Sequence, residues 1–270
     1  MVKSLIIGNP SIDILDGNIN QPGGPVAFVA NTLTLMGHKK IEIISSFAED
    51  YPMKSFDPKI IPIKHNSEST TKFNTYYKKS VRYQNLESKA SKLNLKSILN
   101  KKILSDMVFF APSFDEIKIS DTVKIVENNN NIFFVSLPQG WIRKLNGKKI
   151  FHEFSSIKSL PFFDIIFFSE EEIISAKINK YDLLNLAEIL VITNGENGST
   201  IFFKNKTIKI NPFQANTIDS IGAGDIYAAV FSSVYYKTKS LIIAGEQASR
   251  IASKSTEYKG LKSVNSKILI

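Results

Sequence analysis

Short apolar runs with little polar alternation punctuate the chain, at Ser4 to Ile7, Ile41 to Ile44, Met107 to Ala111, Ile132 to Val135, Ile165 to Phe168, Ile189 to Thr193 and Thr200 to Phe203. Strands covered on both faces look like this. Between them, apolar residues recur at helical spacing over Val26 to Met36, Asp121 to Glu127, Glu170 to Ala176 and Tyr181 to Leu186. Strands alternating with helices predict an α/β protein with a mostly parallel central sheet. The segment Thr71 to Leu86 departs from that pattern: Phe73, Thr75 and Tyr77 alternate with polar neighbours, which predicts a hairpin turning near Lys78 to Ser80. A second extended stretch, Ile12 to Ile19, leads to Pro22, Gly23 and Gly24. Together these predict a small antiparallel β lid, with segments at about residues 12–25 and 60–86, inserted into a single α/β domain spanning 1–270. The run Asn128 to Asn131 reads as a loop, and no repeat is visible.

Composition narrows the class. With 43% hydrophobic and 22% charged residues in 270, the chain has the balance of a soluble globular protein large enough for a substantial core. It has no cysteine, which excludes disulfides, thiolate metal sites and a cysteine nucleophile, and makes a cytoplasmic location the expectation. The opening MVKSLIIGNPSID is too short in its apolar part for a signal peptide, and the densest apolar run, Phe162 to Phe168, is broken by Asp164, so no membrane segment is expected. The formal net charge of +9 fits either a polyanion-binding surface or a lysine-rich exterior that attracts anions such as nucleotides. Its lysines are scattered without a long block and no nucleic-acid module is visible, so neither nucleic acid nor membrane is an expected partner.

Four stretches carry candidate chemistry. In DSIGAGD, Asp219 to Asp225, the glycines permit unusual backbone angles, and a helix beginning near Asp225 would leave the amides of Gly222, Ala223 and Gly224 unpaired at its positive end. Such amides suit a phosphate, with Asp225 beside it to accept a proton; the alternative is a plain loop with Asp225 as a helix cap. TNGENGS, Thr193 to Ser199, follows an apolar run and is either a nucleotide-facing loop at a strand end or a hairpin turn into Thr200 to Phe203. SEEE, Ser169 to Glu172, offers carboxylates that could orient hydrated magnesium, or the acidic first turn of a helix. PGGPVAFVANTLTLMG, Pro22 to Gly37, is a glycine turn feeding an amphipathic helix.

In this order these pieces resemble the ribokinase-like family of carbohydrate kinases, also called the PfkB family, and DSIGAGD is the most specific of them. The resemblance implies a ribokinase-like three-layer α/β sandwich with a small β lid, and an ATP-dependent, magnesium-requiring transfer to a hydroxyl. It implies Asp225 as catalytic base and the backbone of Gly222, Ala223 and Gly224 as the anion hole for the transferring phosphate. Ser169, Glu172, Thr193, Gly195 and Gly198 would border the nucleotide, with Glu172 acting on magnesium through water. Asp13, Gly23, Gly24, Phe28 and Gln139 would face the acceptor, under the lid. The carbonyls around Asp219 and Ile221 correspond to a region that holds a monovalent cation, potassium, in some members, and a homodimer through the lid is an assembly the resemblance admits.

The departures lie mainly on the acceptor side. Many sugar kinases of the family have an asparagine where this chain has Phe28, an asparagine in place of Ser169, and an aspartate in place of Ser136. The spacing of Thr71, Phe73, Tyr77, Arg82 and Gln84, with QGWIR at Gln139 to Arg143, looks more like the archaeal and inositol-kinase side of the family. A polyol or nucleoside acceptor is therefore as open as a hexose. A catalytically inert, ligand-binding or regulatory protein of the same fold is the alternative, favoured by those departures and opposed by the intact DSIGAGD.

Overall fold

The structure, a computed structural model, describes residues 2–15, 19–78, 81–99 and 101–270. β1 (Lys3–Ile7) leads into the pair β2 (Ser11–Leu15) and β3 (Ile19–Gly23), followed by α1 (Pro25–Leu35), β4 (Lys40–Phe47) and β5 (Ile60–Asn66). Next come β6 (Thr71–Lys78), β7 (Val81–Ser88), α2 (Lys96–Leu99), β8 (Met107–Phe110), α3 (Ile119–Glu127), β9 (Phe133–Ser136) and α4 (Gln139–Ile142). The hairpin β10 (Arg143–Asn146) and β11 (Lys149–His152) precedes β12 (Phe163–Ser169), α5 (Glu170–Ser175), α6 (Lys180–Leu183), β13 (Ala187–Thr193), β14 (Ser199–Phe203) and β15 (Lys206–Ile210). Two long helices follow, α7 (Ala223–Thr238) and α8 (Leu241–Ser255).

Among the described residues the strands form a nine-stranded sheet ordered β15-β14-β13-β12-β9-β8-β1-β4-β5 and a six-stranded sheet ordered β10-β11-β7-β6-β2-β3. In the large sheet every neighbouring pair from β13 to β5 is parallel, while β14 and β15 run antiparallel at one edge. The apolar runs are continuous because both faces of this sheet are covered. Ile6, Phe109, Ile165 and Phe167 point to a core shared with α1, α7 and α8, whereas Leu5, Ile7, Phe110, Ile166 and Phe168 point to a second core shared with α3 and Trp141.

The small sheet is the lid, and its composition differs from expectation in two ways. Ile60–Asn66 pairs in parallel with β4 at the edge of the large sheet, so only Thr71–Ser88 of that part of the chain enters the lid. The hairpin β10–β11 joins it instead, through Lys149 opposite Asn85. The two-residue turn expected after Lys78, residues 79–80, lies outside the described residues.

One buried polar seam holds α1 against the rest. His38 lies just past α1, its Nδ1 2.7 Å from the Ser4 hydroxyl on β1 and its Nε2 2.8 Å from the Ser233 hydroxyl on α7. Burial first, and then the charge of Lys237, lower the pKa of this imidazole from 6.5 to about 4, against an opposing pull from Asp106. The folded state thus holds His38 neutral where the unfolded chain protonates it. Its contribution is complete above pH 6.5 and is lost as pH falls towards 4, by at most ~3 kcal/mol. Denaturant titrations should show that falling limb weakened in His38→Gln, and parallel pH profiles for the two proteins would count against it.

Candidate active site

The N-terminus of α7 is the centre of the site. Gly222 caps the helix in the left-handed region, at φ 80°, and α7 begins at Ala223, two residues before the expected start. The first bond of the helix runs from the Ile226 N–H to the Gly222 carbonyl, so the amides of the opening turn precede the intrahelical ladder. One of the three expected anion-hole amides is committed to the turn itself, since Ala223 N–H donates to the Ser220 carbonyl at 3.2 Å. A side chain at Gly222 would overlap the Phe28 ring, which lies directly beneath it. Asp225 stands in this first turn and is partly exposed.

The loop before α7 is held by Asp219. Its Oδ1 accepts the Ile221 N–H at 2.9 Å, and its Oδ2 accepts the Gly260 N–H at 2.9 Å. The Thr256 carbonyl, past the end of α8, accepts the N–H groups of both Ile218 and Asp219. Behind the loop, Phe231 is fully buried, stacked between Tyr227 and Tyr235 and set edge-on to Phe167. This packing fixes the direction in which the helix terminus points.

Two cavities meet there. One, of about 390 Å³, is lined by Asp13, Gly24 and Phe28 from the β2–α1 region, by Tyr83, Gln84 and Arg143 from the lid, and by Ser169, Glu172, Gln139 and Gly222 to Asp225 from the body. The other, of about 920 Å³, lies on the far side of the loop, between Pro212 to Thr217 and the end of α8 at Ser253 to Glu257. Thr193, Gly195, Ser220, Ala223 and Gly224 line both.

In the first cavity, Asp13 is 6% exposed and sits opposite Gln21 in the β2–β3 pair. A Cβ on Gly23 would overlap the Asp13 carboxylate, so this glycine makes room for the acid. Gly24, at φ 89°, places its own missing Cβ 2.7 Å from the Ser11 amide nitrogen. Gly23→Ala should therefore displace Asp13 and lower catalytic efficiency by ~10-fold or more with the melting temperature little changed, because misplacing one positioning group by about 1 Å is that costly. Unaltered kinetics in this variant would remove Asp13 from the acceptor site.

Phe28 is 1% exposed, and its ring wedges between α1 and the Gly222 turn, so it shapes the wall from beneath. Arg143 is buried, with Nη1 donating to the Ser113 carbonyl at 2.9 Å, Nη2 donating to Gln84 Oε1 at 3.1 Å, and the guanidinium 4.7 Å from the Phe73 ring.

Of the residues expected to border the nucleotide, Ser169 and Glu172 form a capping box at the start of α5. Glu172 N–H donates to Ser169 Oγ, and Ser169 N–H donates to Glu172 Oε2 at 2.9 Å. The other oxygen, Oε1, accepts from Gln139 Nε2 at 2.9 Å, which joins an expected acceptor residue to an expected magnesium residue. The acidic-first-turn reading is thus realised, with Glu172 also facing the cavity. TNGENGS takes the hairpin-turn form. It turns β13 into antiparallel β14, and its Thr193 and Gly195 face both cavities. Gly198 borders the second cavity at φ 86°, and a Cβ there would overlap the Ile210 carbonyl.

Several site-shaping residues lie outside the sequence motifs. Glu116 is buried with Oε1 accepting the amides of Asn9 at 2.7 Å and Ser113 at 2.8 Å, and Oε2 that of Phe114 at 2.7 Å; burial pushes its pKa up against those bonds. It ties the β1–β2 turn to the loop that Arg143 grips, a long-range contact with no local signature. His152, on the lid, lines the first cavity and pairs with Ser175 Oγ at 2.6 Å. Tyr227 lines the second cavity with its hydroxyl 2.7 Å from Ser199 Oγ, and burial pushes its pKa up to about 12.

Among the described residues there is no cluster of three or more His, Cys, Asp or Glu side chains able to cage a metal. With both Glu172 oxygens already accepting protein N–H groups, the donor set suits a hydrated cation held chiefly by ligand phosphates. No helix is long and apolar enough to cross a membrane among the described residues.

Comparisons with known proteins place this arrangement. Residues 157–268 match the profile described as pfkB family carbohydrate kinase. The nucleoside kinase of Methanocaldococcus jannaschii is 40% identical over 80 residues, which cover 29% of this chain and only about a quarter, 26%, of that protein. A pyrophosphate-dependent kinase in the ribokinase family, solved with a pyrophosphate analog and myo-inositol, superposes with a TM-score of 0.82 at 19% identity over 98% of both chains. Arabidopsis thaliana ribokinase, solved with ribose and ATP, gives 0.69 at 15% identity over 99% of this chain and 98% of that one. The chain as a whole has the ribokinase fold, and its residues 157–268 are similar to the pfkB family carbohydrate kinases.

Proposed function

We propose that the protein is an ATP-dependent kinase that phosphorylates a hydroxyl of a small sugar, polyol or nucleoside, with Asp225 as base and the Gly222–Asp225 backbone as anion hole. The observation that best supports this reading is the meeting of two cavities over the N-terminus of α7. The smaller offers Asp13, Gln84 and Arg143 to an acceptor, and the larger has room for the nucleoside part of a donor. A pyrophosphate donor would leave most of that second cavity unused. The residues common to both cavities mark the place of the transferring phosphate.

Phosphoryl transfer passes through a loose transition state, so alignment and charge stabilisation supply most of the catalysis. The acceptor oxygen bonds to the terminal phosphorus as the bridging P–O bond breaks and ADP leaves. The acceptor proton passes to the Asp225 carboxylate late, as the new bond forms, so a weak base suffices. Helix-terminal amides meet the developing charge without reorganising. Glu172 would hold magnesium through water when it is bound with the nucleotide, and the cation would supply neutralisation of phosphate charge. Potassium would lie at the carbonyls of Asp219 and Ile221, where it would stiffen the same loop. The lid keeps water from the phosphate.

A coupled assay of ADP release over sugars, polyols and nucleosides with ATP, and an assay of acceptor-dependent orthophosphate release with pyrophosphate as donor, together test the reading. Acceptor-dependent turnover with ATP is expected. Turnover with pyrophosphate alone would overturn the donor assignment, and none with any pair would leave an inert binding protein of this fold.

A further inference from the structure

The acceptor side and the donor side of the site belong to different sheets, yet one side chain reaches from the first to a loop that anchors the second. Gln21 lies on β3 directly opposite Asp13, so the two side chains share a face of the lid. Its amide rests on Gly260: a Cβ on that residue would lie 2.8 Å from Gln21 Oε1. Gly260 adopts φ 52°, in the left-handed region, and its N–H donates to Asp219 Oδ2. The other oxygen of Asp219 holds the amide of Ile221, the residue before the Gly222 cap. Gln21 Nε2 is buried without a hydrogen-bond partner among the described residues, so packing against Gly260 rather than a polar contact of its own accounts for this placement. We propose that Gln21 is a positioning residue that sets the acceptor-facing pair β2–β3 against the anion-hole loop by seating its side-chain amide on Gly260.

Packed contacts and short hydrogen bonds run without a gap from Asp13's strand partner through Gly260 and Asp219 to Ile221. A shift at either end is therefore felt at the other. The inference rests on the kinase reading for its meaning, but the linkage itself is testable on the ligand-free protein. In Gln21→Ala and in Gly260→Ala, amide exchange of residues 219–225 should quicken by ~3-fold or more, because local opening there loses a support. The double variant should be no faster than the quicker single variant, since both break one linkage. Gly37→Ala supplies the control for left-handed strain: Gly37 has φ 79° with nothing within 4 Å of a Cβ, so exchange at 219–225 should stay at the parental rate. With an acceptor from the panel, Gln21→Ala should raise the acceptor KM several-fold while the ATP KM holds, a split that a merely destabilised fold would not give. Unchanged exchange in both single variants, additive effects in the double variant, or equal changes in both KM values would overturn the proposal. A protein that phosphorylates nothing would instead fail in the ADP-release assay, leaving the exchange result to stand alone.

Discussion

Asp225→Asn should bind ATP within about twofold of the parent and turn over ~10²-fold or more slowly, the usual scale for a lost general base. The side chain keeps its size, and α7 keeps its start, because the cap is the Gly222 backbone rather than the Asp225 carboxylate. The loss should appear in kcat, with the acceptor KM little moved, since the carboxylate is asked to act as the bond forms. Nucleotide titration by calorimetry, together with single-turnover rates, separates the two effects. Turnover near the parental value would remove Asp225 from the role of base and leave it as an ordinary acid in a helix's first turn.

Gly222→Ala carries the second large effect, and the structure supplies two independent reasons. A left-handed backbone costs a residue with a side chain ~1–2 kcal/mol. The new methyl also overlaps the buried Phe28 ring, and overpacking of this kind costs ~1–3 kcal/mol. The loop can escape only by turning its amides away from the phosphate, so turnover should fall ~10²-fold or more, as when an anion-hole donor is lost. Adding Phe28→Leu to Gly222→Ala should return part of the stability, by relieving the overlap, while the backbone strain and most of the kinetic defect persist. A Gly222→Ala protein as stable and active as the parent would show that neither the ring nor the left-handed cap matters.

The parts of the fold written most plainly in the sequence are those whose environment is uniform along an element. Ser4 to Ile7 and Ile165 to Phe168 read as strands because both faces meet apolar cores, and α1 reads as a helix because Gly24 and Pro25 mark its start. DSIGAGD was legible as a tight turn because only glycine tolerates φ 80° at 222 without cost. β5 was misassigned because an edge strand meets its partner on one side only. Ile61 and Ile63 are exposed there and Pro62 interrupts the run, so no period announces where it pairs. The β10–β11 hairpin does carry a sequence signal, the Asn146-Gly147 turn, with Gly147 at φ 60°. Glu116 and the wall of the second cavity at Pro212 to Thr217 had none. The first joins its neighbours' amides at Ser113 and Phe114 to that of Asn9, more than a hundred residues away, and the second is irregular chain whose place is set by α8.

Asp13, Gln84 and Arg143 reach the cavity from strands of the lid sheet, while Asp225 reaches it from α7, whose residues 226–234 are all buried. The lid packs through a much smaller cluster, in which Phe73 and Leu86 of its strands meet Phe114 from the loop after β8. Function therefore hangs on the weaker of two layers. As denaturant rises, catalysis should fade at a lower concentration than the helical signal of α7 and α8, because opening the lid separates Asp13, Gln84 and Arg143 from Asp225 without melting either helix. Coincident loss of activity and ellipticity would mean that the two sheets open as one cooperative body.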